Sequence, residues 1–162
     1  MRRPSFGSLC SALMLGFVAT TSASPASALF IVNQPWVRPA QVAHATEAYM
    51  DLTSTEGGRL VGVRSGVART VAIRAPGKTA VTATSVTLLP GMLVSLAPGQ
   101  NRIALVQLLR TLTPGDRVDL TLTIEDNNGS RQEIAVNAEV RMRSPIDDER
   151  RAHAHSHPLQ PH

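Results

Sequence analysis

The sequence is short of the residues that most often carry covalent or redox chemistry. It has one cysteine, Cys10, and that residue falls in a leader that export would remove. A mature chain without a thiol excludes disulfides, cysteine-ligated zinc, type-one copper and cysteine nucleophiles. Any metal site must then use His, Met, carboxylate or backbone oxygen. Aromatic residues make up 3% of the chain, too few for the stacking platforms that hold single-stranded nucleic acid. Lysine is nearly absent: Lys78 is the only one among sixteen basic residues. Histidine is missing from most of the chain, since four of the five are His153, His155, His157 and His162. There is no Gly-x-Ser-x-Gly, no His-Glu-x-x-His and no phosphate loop. A catalytic base in the body of the chain would have to be His44 or a carboxylate, so we expect a protein that is not an enzyme.

What is present begins with a leader. Arg2 and Arg3 precede an apolar run from about Leu9 to Val18, and Ala26-Ser27-Ala28 forms a small-x-small cleavage signature. The run is shorter than the roughly 20 residues a membrane span needs. Residues 1–28 are therefore expected to be a cleavable signal peptide, with the mature protein periplasmic and without a stable membrane anchor. The arginine pair leaves general and twin-arginine export both open. Removing the leader takes away two basic residues and no acidic one, so the mature charge is 14 − 12 = +2. So small a charge does not point to nucleic acid.

From residue 30 the pattern is alternation. "RVDLTLTIE" (117–125) puts Val118, Leu120, Leu122 and Ile124 on one face and Asp119, Thr121, Thr123 and Glu125 on the other, the period of a half-buried strand. "DNNG" (126–129) follows, and Asn-Gly favours a tight hairpin turn. "EIAVNAEV" (133–140) then alternates Ile134, Val136, Ala138 and Val140. Further strands are expected in "AYMDLTS" (48–54), "RLVGVRS" (59–65), "TVAIR" (70–74), "TAVTATSVTLL" (79–89), "MLVSLA" (92–97) and "RIALVQLL" (102–109). Turns such as "EGG", "APGK", "PGQ" and "TPGD" separate them. About seven or eight short strands with Gly- and Pro-containing turns indicate an all-β sandwich, here over residues 29–143. Trp36, Met50 and Met92 are expected in its core, and His44 in a loop. After "VRMR" the composition turns polar, and residues 144–162 are expected to be a disordered His-rich tail.

Several pieces, taken in order, resemble a known family. "PWVRP" (35–39) precedes "AYMDLTSTEGGRLVGVRSGVARTVAI" (48–73). "LLPGMLVSLAPGQNRIALVQLLRTLTPGDRVDLTLTIED" (88–126) follows, and a closing strand ends the match. This is similar to the PCu(A)C family of periplasmic copper chaperones, over roughly residues 33–141. The resemblance implies a cupredoxin-like Greek-key sandwich that binds Cu(I) with His and Met at one end. It also implies a copper-accepting partner, such as cytochrome oxidase or another copper chaperone.

The family's ligands are missing here. Where relatives carry a His-x-Met after the strand matching "TVAI", this chain has Arg74-Ala75-Pro76. Where they carry a second, it has Arg102-Ile103-Ala104. Guanidinium stays protonated and offers no lone pair to a metal. Arg74 and Arg102 are expected near each other, as solvated surface arginines or, alternatively, as a pair that attracts an anion or acidic partner. The tail becomes the candidate metal site. His153, His155 and His157 alternate along the chain, so an extended segment points them the same way. His162 adds a fourth imidazole, and Asp147, Asp148 and Glu149 offer oxygen. Imidazole without thioether suits Cu(II), with zinc or nickel as alternatives. The expected function is copper delivery or buffering in the periplasm. The alternative is a non-metal interaction or structural sandwich that has lost the copper site.

Overall fold

The computed structural model describes residues 28–77 and 81–155. The signal peptide expected over 1–28 lies outside the described residues except for Ala28. Among the described residues there are nine strands: β1 (Phe30–Val37), β2 (Thr46–Ser54), β3 (Gly58–Arg64), β4 (Ala68–Arg74), β5 (Val86–Leu88), β6 (Leu93–Leu96), β7 (Arg102–Leu108), β8 (Arg117–Glu125) and β9 (Arg131–Val140). One helix, α1 (Pro145–His155), follows. The strand order is β4-β7-β2-β1-β9-β8-β3-β5, with β6 also paired to β2. This curled mixed sheet closes over a single core.

The β8–β9 hairpin shows why the alternation forms a strand pair. Val118, Leu120, Leu122 and Ile124 are all at most 1% exposed. Leu120 lies beside Val136 and Leu122 beside Ile134, so the apolar faces of both strands point into the same core. The connecting loop is longer than a two-residue turn. The Asp126 carboxylate accepts hydrogen bonds from the Asn128 and Ser130 amides at 2.8 and 2.9 Å, an Asx-type closure.

Two junctions shape the sandwich. A bulge lies in β1 between Asn33 and Trp36, where Gln34 has a positive φ of 48°. After it, Trp36 and Val37 are buried. Val37 then pairs with Val140 in a short parallel contact between β1 and β9, and that contact joins the two halves of the sheet. Gly58 allows a second close approach. A Cβ there would meet the Glu125 carbonyl oxygen at 2.7 Å, and its φ is +143°, so only glycine fits without strain.

Some expectations need correction. "TAVTATSVTLL" is not one long strand. Only Val86–Leu88 is β5, and Thr82 makes a single bridge to Arg74. Val86 and Leu88 are buried, whereas the earlier part of the segment has no large apolar face to anchor it. Met92 is 55% exposed rather than core, because it precedes β6 in the turn after Pro90. Met50 is buried, as expected.

The segment expected to be disordered from residue 144 instead begins with α1. The Ser144 carbonyl accepts from the amides of Asp147 and Asp148 at 3.1 and 3.2 Å. Pro145 suits a first helical position, and Asp147 and Asp148 fall in the first turn, where carboxylates favour the helix dipole. These local signals outweigh the low apolar content that pointed to disorder.

Candidate functional site

The end of the sandwich where β1 and β9 finish carries an unusual set of charges. Glu47 and Tyr49 lie two apart on β2 and so share a face. Arg102 opens β7, whose Ala104 is the cross-strand partner of Glu47. On β7's other side, Arg102 is the register partner of Arg74 at the end of β4. Arg38 follows β1, and its amide donates to the Glu47 carbonyl at 3.1 Å. Four strand ends thus converge on one place.

Arg102 is the centre of the arrangement, and it is 8% exposed. Its Nε donates to Glu47 Oε1 at 2.6 Å. Its Nη1 donates to the carbonyls of Ala75 and Gln100 at 2.9 and 3.3 Å. The Tyr49 hydroxyl donates to the other Glu47 oxygen, Oε2. Arg38 lies over the Tyr49 ring, 5.5 Å from its centroid, a cation–π arrangement. Tyr49 in turn packs on Trp36, with ring centroids 4.6 Å apart. Arg74 donates through Nη1 to Thr82 Oγ1 at 2.7 Å.

The titrations follow from this packing. Burial pushes the Glu47 carboxyl up, but hydrogen bonds from Tyr49 and Arg102 and the charges of Arg102 and Arg38 together outweigh it. Glu47 is therefore held below the ordinary carboxylate range. Burial is also the main cause that raises Tyr49, reinforced by its bond to the Glu47 carboxylate. Tyr49 stays a phenol and donor at any physiological pH.

An open cleft of about 420 Å³ lies over this network. Arg38, Arg74, Arg102 and Glu47 supply its charged wall, and Ala104 and Val106 lie among its apolar lining. Arg74 and Arg102 do meet, as expected. The expectation of two solvated arginines fails for Arg102, which is buried and tied to a carboxylate and two carbonyls. The sequence signal was present in part. Arg102 alternates with Ala104 and Val106, so it shares their face, but Glu47 as its counter-charge became visible only once β2 and β7 were paired.

The comparisons with known proteins bear on this end of the molecule. The LpqE-like family model matches residues 30–140. The chain belongs to the LpqE-like family. No curated protein matches it at a significant level. Among solved structures, the apo PCuAC domain from PmoF1 is 24% identical, with a TM-score of 0.60 over 70% of this chain and 94% of that one. The copper-bound PCuAC domain from PmoF2 is 24% identical, with a TM-score of 0.57 over 70% of this chain and 93% of that one. The solution structure of CuI-DR1885 from Deinococcus radiodurans is 26% identical, with a TM-score of 0.50 over 72% and 82%. This LpqE-like chain therefore has the PCuAC fold, as the motif order in its sequence implied.

The residues at the family's ligand positions do not fit a copper ion. Arg74 and Arg102 stand where the resemblance places histidine. An arginine cation repels a metal cation and has no lone pair to offer it. Among the described residues, no three His, Cys, Asp or Glu side chains converge to hold a metal ion. Of the histidines expected as ligands, His153 and His155 lie in the last turn of α1, while His157 and His162 lie outside the described residues.

Proposed function

We propose that this LpqE-like protein is an exported copper-handling protein of the periplasm. In this reading the sandwich is a scaffold and docking surface, and the C-terminal histidines capture the metal. One observation carries the reading. The fold of copper-bound PCuAC domains is kept, while the protein's own Arg102 cation occupies the end where the family resemblance places the ligands. Metal capture then falls to His153, His155, His157 and His162. Labile imidazole bonds would let the ion pass by ligand exchange to a better-organised acceptor. That acceptor would be a cytochrome oxidase or another copper chaperone. Imidazole without thioether favours Cu(II), with zinc or nickel as competitors.

The test is metal titration of the mature protein beside two variants. One ends at Ser144, and the other changes His153, His155 and His157 to Ala. Full-length protein should bind Cu(II) at neutral pH and release it below about pH 6, where free imidazoles become protonated. Both variants should lose that binding. If the chain ending at Ser144 binds copper equally well, the tail assignment is wrong. A second reading, a sandwich that binds a partner and no metal, is favoured by the buried Arg102 and gains if full-length protein fails to bind under competition.

A further inference from the structure

The cleft beside Arg102 has a composition suited to a ligand of the opposite charge to copper. Three guanidiniums, Arg38, Arg74 and Arg102, face one carboxylate, Glu47, leaving a formal +2. Glu47 is turned to Arg102 and Tyr49, which take up both of its oxygens. Arg38 and Arg74 are each held in place, the first over the Tyr49 ring and the second by Thr82. Arginine recognises oxyanions through its planar fork, more specifically than a lysine ammonium does. The floor between them is aliphatic, with Ala104 and Val106 beside Pro39. About 420 Å³ lies within the range of roughly 300–1,000 Å³ typical of small-molecule sites.

We propose that this cleft binds a small organic carboxylate, with its carboxylate between Arg38 and Arg74 and its short aliphatic body on Ala104 and Val106. Arg102 supports the site by binding Glu47 Oε1, while the Tyr49 hydroxyl binds Oε2. In effect, the end where the family resemblance implies copper ligands would be inverted in charge. The proposal does not depend on the histidine segment, because its probes contain no metal and its variants keep every histidine.

The experiment is a backbone-amide NMR titration of the full mature chain with sodium isobutyrate, at constant ionic strength. Inorganic phosphate serves as the comparator. Isobutyrate should give saturable shifts centred on Thr46, Glu47, Arg102 and Ala104. The double variant Arg38→Gln/Arg74→Gln should weaken binding by about tenfold or more, as expected for the loss of charge-assisted bonds. Arg131→Gln, at the opposite end of the sandwich, should bind as the unaltered chain does. Shifts that grow linearly without saturation overturn the site. So does equal binding by the double variant, or an equal loss in Arg131→Gln, which would mark a diffuse response to basic surface. Phosphate binding as tightly as isobutyrate overturns the choice of an aliphatic carboxylate.

Discussion

Glu47 and Glu125 each sit among arginines, at opposite ends of the sandwich. Glu47 lies where β1 and β9 finish, and Glu125 lies beside the turn where β9 begins. A ten-residue strand separates them by roughly 30 Å. At the far end Glu125 is bound by Arg59 and by Arg131 Nε at 3.0 Å. Both arginine side chains there are more than half exposed, at 55% and 67%. At the near end the arginine itself is enclosed, with the Arg102 side chain 10% exposed. The same residue types therefore do different work. Around Glu125 the arginines decorate the surface, where ion pairs contribute little. Around Glu47 an arginine has become part of the interior, where its removal would take the donor from the Ala75 and Gln100 carbonyls as well as from Glu47.

The largest test of that contrast is Arg102→Ala. It removes a buried side chain and takes a donor from Glu47 and two carbonyls, and should cost about 2 kcal/mol in chemical denaturation, in the range for leaving polar groups unsatisfied. Arg102→Lys should recover only part of this, since an ammonium cannot reproduce the guanidinium's fixed directions. A loss no greater than that of a surface arginine would erase the distinction between the two ends. Glu47→Gln should act next, chiefly through pH. The Glu47 carboxyl is lowered from 4.5 in the folded state. Its contribution is therefore full above that value and is lost as pH falls through the folded-state value. Melting temperature measured from pH 7 to pH 2.5 should fall less steeply in the acid limb for Glu47→Gln than for the unaltered chain. A parallel acid limb would show that Glu47 is not linked to folding. The smallest effect belongs to Arg131→Gln, which should move the melting temperature at neutral pH by no more than about 2 °C. A larger drop would mean that the Glu125 end is also structural.

Legibility followed the strength of the local pattern. β8 and β9 could be read because large apolar residues alternate without interruption. β5 could not, because threonine and alanine carry the period without enough apolar surface to hold a strand. α1 announced itself only through Ser144, Pro145 and the two aspartates, signals that are easily hidden in a polar stretch. The missing copper ligands could be read from Arg74 and Arg102 against the family resemblance. The burial of Arg102 could not, since it arises from Glu47, a residue 55 positions away in sequence and brought near only by the β2–β7 pairing.

The contact between Trp36 and Tyr49 gives this molecule a built-in optical reporter. The chain has one tryptophan and one tyrosine, and they touch. Light absorbed by Tyr49 will pass to Trp36, so emission from the folded protein comes from a single buried indole. Tyr49 also bonds to Glu47 and lies beneath Arg38. Events in the charged cleft therefore reach the indole through one ring, and unlabelled protein can signal both its unfolding and the occupancy of that end by a change in colour or yield of its own fluorescence.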